Sequence, residues 1–145
     1  VVTGLAHISE MALVIIESDQ DMNKNGQVLE VFQLMAKAGI SVDMIQVSPK
    51  QIGFILKDDY SDRAGEVLSG QSLRISAEKG FAKVAIVGSG MRGVPGVMAR
   101  MVKGLQRAGI SIYHSTDSHT NIACLVKREE MCAALQALHE EFELA

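Results

Sequence analysis

The tetrapeptide AGIS occurs twice, at Ala38–Ser41 and at Ala108–Ser111, an offset of 70 residues. The same offset relates Gly26 to Gly96, Val14 to Val84, Ile16 to Ile86 and Leu68 to Leu138, with no gap required. A chain of 145 residues with this period is a tandem of two similar units. Whatever one half folds into, the other must also be able to form.

In the first unit, Met11–Ile16 is an apolar strand. Gly26 opens a helix that sets Val28, Val31, Phe32, Met35 and Ala36 on one face, and Gly39 ends it. The stretches ISVDMIQVS and QIGFILK predict two strands joined by a hairpin around Ser48, Pro49 and Lys50. A second helix is expected from Tyr60 to Ser69, with Ala64, Val67 and Leu68 inward, and SLRISA closes the unit as a strand. The order β-α-β-β-α-β is that of a ferredoxin-like α+β sandwich.

The second unit repeats the order. Strands are expected at Ala82–Val87, Ile110–Ser115 and Asn121–Val126. Helices are expected at Val94–Ala108, burying Val94, Val97, Met98, Met101 and Leu105, and at Glu129–Phe142, burying Met131, Ala134, Leu135, Leu138 and Phe142. The partner of SLRISA would then fall at the end of the sequence. The segment VVTGLA has no role in the first unit, so Val1–Ala6 is expected to complete the second sheet and cover its open edge. This division places residues 8–79 in the first unit and residues 80–145 plus 1–7 in the second.

Composition narrows the function. Net charge is −3, which disfavours a nucleic-acid surface, and no apolar run is long enough to span a membrane. Cys124 and Cys132 form no staple framework, which points to a reducing, cytoplasmic setting. A sequence that begins with Val1 rather than Met is expected to be a piece of a longer product. An RNA-recognition sheet would need exposed aromatics on its central strands, and AKVAIVG and NIACLVK offer none.

The run VGSGMRGVPG carries Gly88, Gly90 and Gly93 at the spacing of a dinucleotide loop. A dinucleotide fold continues through a crossover helix to a parallel strand, whereas here a short hairpin to Asn121–Val126 is expected. The equivalent first-unit loop, ESDQDMNKNG, also lacks the glycines. A strand-to-helix loop with free backbone N–H groups suits a carboxylate as well as a phosphate, and an amino-acid carboxylate is the better candidate.

The tandem βαββαβ order, the glycine at each first-helix start, and ISVD after that helix resemble ACT domains. VVTGLAH, KVAIVGSGMRGVPGV, STDSHTNIACLV and ALHEEFEL resemble the regulatory C-terminal part of aspartate kinases. The resemblance implies an allosteric module that binds an end-product amino acid (lysine, threonine or diaminopimelate). It also implies pairing into a homodimer, and control of an aspartate kinase catalytic domain or subunit that alone uses ATP. No cofactor or metal is implied, and no catalytic residues within this stretch.

Carried over by position, the effector site is Asp21, Lys24, Gly26, Gln27, Val28, Ser41, Val42 and Asp43. N–H groups near Gly26 to Val28 would hold a carboxylate and Asp43 an ammonium. A second possible effector loop comprises Met91, Arg92, Gly93, Val94 and Gly96, with Tyr113 in the place of Asp43. Blander readings stand beside these: Asp43 as a solvent-facing strand acid, Lys24 and Arg92 as loop charges, and His114, Asp117 and His119 as interface contacts rather than metal ligands. The competing functions are a dimerisation module without ligand and a stand-alone amino-acid sensor.

Overall fold

The computed structural model describes residues 2–91 and 94–144. Contacts divide the chain into a first unit, Glu10–Gly80, and a second, Val1–Ser9 with Phe81–Ala145. The elements are β1 (Val2–Glu17), α1 (Gln27–Lys37), β2 (Asp43–Val47), β3 (Gln51–Lys57), α2 (Ser61–Leu68), β4 (Arg74–Gly88), α3 (Val97–Arg107), β5 (His114–Asp117), β6 (Asn121–Lys127) and α4 (Met131–Glu141). One 3-10 turn, Asp58–Tyr60, leads into α2, and another, Arg128–Glu130, leads into α4.

The first unit has strand order β2-β3-β1-β4 and the second β1-β4-β6-β5, so β1 and β4 each serve both. The N-terminal segment does complete the second unit: Val2 and Leu5 pack on its core, and Thr3 Oγ1 donates to the Val87 carbonyl at 3.3 Å. Its covalent form differs from expectation. Residues 2–6 of the predicted N-terminal piece and Met11–Ile16 are in one strand of 16 residues, and the RISA of SLRISA and Ala82–Val87 are in one strand of 15. Near each change of unit sits a residue with positive φ, Glu10 (59°) and Gly80 (92°), and neither ends its strand.

Each core follows the period-2 and period-3.6 patterns. In β1, Ala12, Val14 and Ile16 stand beside Leu56, Phe54 and Ile52 of antiparallel β3. Val31 and Met35 of α1 and Ala64 and Leu68 of α2 cover them. In the second unit, Ala82, Val84 and Ile86 stand beside Val126, Cys124 and Ile122, under Met101, Leu105, Ala134 and Leu138. The duplicated glycine has a backbone reason. Gly26 and Gly96 precede α1 and α3 with φ of 80° and 86°, where a side chain would cost roughly 1–2 kcal/mol.

The repeat reaches side-chain contacts. Gln71 Nε2 donates to Glu30 Oε1 at 3.0 Å, and at the positions 70 residues on, Arg100 Nε lies 3.6 Å from Glu141 Oε2. Glu141 is the last residue of α4, whereas Gln71 lies three residues beyond the end of α2.

Several expectations are corrected. Helix α3 begins at Val97, not Val94, because Pro95 and left-handed Gly96 interrupt the turn, and Val94 is exposed. Strand β5 begins at His114: after Gly109, Ile110 turns back to bond Leu105, and ladder pairing starts only where Tyr113 donates to Leu125. Ala36 is exposed, and Phe32, Met98, Met131, Leu135 and Val67 are half-buried.

Candidate functional site

The loop between β1 and α1 is built from its own polar side chains. Asp21 Oδ1 accepts from the amides of Asn23 and Lys24, each at 3.0 Å. Met22 is fully buried, and its amide donates to the Pro49 carbonyl at 2.7 Å. Ser18 N–H reaches the Lys50 carbonyl, so the loop rests on the β2–β3 hairpin.

The amides expected to hold a carboxylate already donate within the protein. Gly26 N–H bonds the Asn23 carbonyl, Val28 N–H the Met22 carbonyl, and Gln27 N–H the Asn25 Oδ1 at 3.2 Å. The Asn25 carboxamide thus occupies the Gln27 amide, with its Nδ2 donating to Gln27 Oε1 at 2.7 Å.

Asp43, Val42 and Ser41 lie elsewhere. Asp43 pairs with Ile55, which pairs with Leu13, whereas the loop leaves the sheet at Glu17 opposite Gln51. Four residues of strand separate the two levels, roughly 13 Å at ~3.3 Å per residue. Asp21, Lys24, Gly26, Gln27 and Val28 therefore cluster, and Asp43 does not join them within one unit. Asp43 sits at a register irregularity in β2, half-buried, its Oδ1 accepting from Met44 N–H at 2.7 Å. Met44 is buried with φ of 50°. Asp43 is thus a bulge residue rather than a plain solvent-facing acid.

The second loop is similar in anchoring and different in chemistry. Met91 is buried like Met22, and its amide bonds the His119 carbonyl as Met22 bonds Pro49. The anchors are 69 residues apart while the hairpin partners are 70 apart, so the gap-free repeat hides a one-residue shift. Gly90 (φ 63°) lets the chain turn into this anchor, which accounts for part of the glycine run without a phosphate. The antiparallel β5–β6 hairpin excludes the dinucleotide fold. Val94 and Gly96 border a cleft of about 320 Å³ with Val2, Val97 and Phe142. Arg92 and Gly93 lie outside the described residues. In Asp43's place, the Tyr113 ring lies 5.2 Å from that of Phe81. Lys127 Nζ sits 4.6 Å from the Phe81 centroid and 5.1 Å from that of Tyr113.

Among the described residues, no group of three His, Cys, Asp or Glu side chains is placed to hold a metal ion. Among them, too, no helix is long and apolar enough to cross a membrane. Cys124 is buried, its Sγ 3.8 Å from Met101 Sδ, and burial pushes its thiol up from near 9 to about 12. Above pH 9 the unfolded chain releases a proton that the folded chain retains, so this group's contribution to stability falls between pH 9 and 12. A maleimide at pH 8 is expected to modify Cys132 in the folded protein and Cys124 only after denaturant, as read by mass spectrometry.

A paired βαββαβ architecture, with a strand-to-helix loop in each unit and an acid on an edge strand, defines an ACT-type regulatory module. The ACT domain model matches residues 76–140. The chain is 33% identical, with a TM-score of 0.86, to the regulatory subunit of aspartate kinase from Thermus thermophilus in its ligand-free form, covering 99% of both chains. It is 37% identical to aspartokinase 1 of Bacillus subtilis over 99% of its own length and 35% of that protein's. It is 25% identical, with a TM-score of 0.80, to E. coli aspartokinase III in complex with lysine and aspartate in the T-state, over 96% of this chain and 32% of that one. The chain belongs to the aspartate kinase family, as its regulatory part. It spans about a third of the length of the curated aspartokinases it matches.

Proposed function

We propose that the chain senses an end-product amino acid for feedback control of an aspartate kinase, and that two copies form the sensing site in the first unit. The observation that carries this is the separation of Asp43 from the loop along β2. This strand is an edge of its sheet, with Ile45 and Val47 exposed. An edge strand offers backbone groups to a second strand. Antiparallel pairing of two β2 strands about Ile45 would place Asp43 of one copy opposite Val47 of the other. Val47 leads into the hairpin on which the Met22 loop rests. Asp43 would then face the loop whose Gln27 amide is capped only by Asn25.

An acid facing a backbone amide fits an α-amino acid. Lysine, bound in the E. coli relative, is the first effector to test, with threonine and diaminopimelate beside it. Ligand held between copies would favour one dimer arrangement, and that difference in affinity, typically 1–3 kcal/mol, is what can reach a catalytic domain.

Asp43→Ala is expected to weaken the effector about 10- to 100-fold, the value of one charged hydrogen bond of about 1.5–3 kcal/mol. The far-ultraviolet spectrum should not change. Titration calorimetry with each amino acid, combined with sedimentation equilibrium, measures both affinity and association. Equal affinities in mutant and wild type, or a ligand-bound monomer, would refute the reading.

A further inference from the structure

The repeat supplies an internal comparison for the two edge strands, β2 and β5. Gln46 and Val47 pair with Gly53 and Ile52 just as Thr116 and Asp117, 70 residues on, pair with Ala123 and Ile122. One step further the strands differ. In the second unit the ladder stays in register, with Ser115 opposite Cys124 and His114 opposite Leu125. Tyr113 N–H reaches the same Leu125 carbonyl, so the extra residue is taken up where the strand begins. In the first unit Asp43 already stands opposite Ile55, and Met44 and Ile45 share the place opposite Phe54. The bulge lies one residue deeper in β2 than in β5. No gap separates the two sequences here, so the same fold admits both registers.

Met44 carries the strain of the deeper bulge. Its φ is 50°, a region where an L side chain crowds its own carbonyl and where a bulge usually places glycine. No residue of β5 has a positive φ. Asp43, next in the chain, holds Met44 in that conformation: its Oδ1 accepts the Met44 N–H at 2.7 Å. Short acidic side chains compete for nearby backbone amides in this way. Tyr113 stands at the same position of the second unit, and its phenol oxygen is too far out on the ring to reach the next amide. That ring lies 5.2 Å from Phe81 instead. The acid goes with the deeper bulge and the ring with the shallower one.

We propose that β2 is a register switch set by the Asp43 carboxylate, an inference that rests on Asp43 being the partner of the effector's ammonium. While the carboxylate holds the Met44 N–H, the bulge stays at Met44 and Ile45. An ammonium is a stronger partner for a carboxylate than a neutral amide is. As it draws the carboxylate away, left-handed Met44 loses its tether. Strand β2 then slides into the register of β5, with Met44 opposite Ile55 and Ile45 opposite Phe54. Ile45 to Val47 become a regular edge. A bulge blunts an edge, whereas a regular edge accepts a second strand. Ligand binding at Asp43 thereby favours pairing of two β2 strands through an element with two states.

Nuclear magnetic resonance of the isotope-labelled chain reads the register from cross-strand proton contacts to Ile55 and Phe54. Wild type without ligand should show the Asp43–Ile55 contact, and Asp43→Ala should replace it with Met44–Ile55. Asp43→Tyr, which installs the second unit's own residue, should slide as well. Asp43→Asn should behave as wild type, because its carboxamide oxygen still accepts the Met44 N–H. L-lysine, L-threonine and diaminopimelate, each added to wild type, test the coupling. The one that moves the Asp43 resonances should also bring in the Met44–Ile55 contact. A bulge that persists in the Ala and Tyr variants, or an Asn variant that slides as they do, would overturn the switch. A ligand bound at Asp43 with the bulge unmoved would overturn it too, and would leave the effector reading intact. A register change in the variants with no resonance moved by any of these amino acids would uphold control of the strand by Asp43 and refute the effector reading instead.

Discussion

Deleting residues 1–9 is expected to unfold the second unit while the first stays folded. In the second unit β1 is a full strand of the sheet, lying beside β4, and Val2 and Leu5 pack on its core. Without it, the outer side of β4 loses its hydrogen-bond partner and the edge of an aliphatic core opens to water. A unit of about 70 residues has little stability to spare. The first unit takes its part of β1 from Glu10 onward and keeps its four strands. Hydrogen exchange read by mass spectrometry resolves the two. Amides of β5, β6, α3 and α4 should exchange near unprotected rates, whereas those of β3 and α1 remain slow. Protection of β6 equal to that in the full chain would mean that the N-terminal segment is dispensable to the fold.

The largest single-residue effect is expected at Phe54. It is fully buried in β3, paired in register with Val14, and its ring lies 5.9 Å from that of Phe32 at a 50° tilt. The protein has only 4 phenylalanines and no tryptophan, so few neighbours are large enough to fill the space left. Phe54→Ala should cost about 3–5 kcal/mol, a transfer loss plus a cavity. Leu29→Ala, at a side chain 63% exposed on α1, should stay within about 0.5 kcal/mol. Urea denaturation monitored by circular dichroism gives both values. Equal midpoints for the two variants would show that the first unit is not built around this ring.

The candidate site was less legible than the fold. Asp21 stood out as a polar loop residue, but its carboxylate is consumed in shaping the turn. Asn25, which caps the Gln27 amide, carries only the signal of an asparagine just before a helix-opening glycine. The level of Asp43 in the sheet depends on strand register and a bulge, and neither leaves a periodic mark.

Repetition and periodicity determined the duplication, the order of elements, the core faces and the role of the N-terminal segment. Such patterns depend on which residues must leave water, and burial imposes them locally. The three-dimensional arrangement alone decided that two long strands are shared, which loop amides are already bonded, and which charges meet across a groove. Those outcomes turn on register and on one-residue shifts between distant segments, where many arrangements satisfy the same hydrophobic pattern and only packing selects among them.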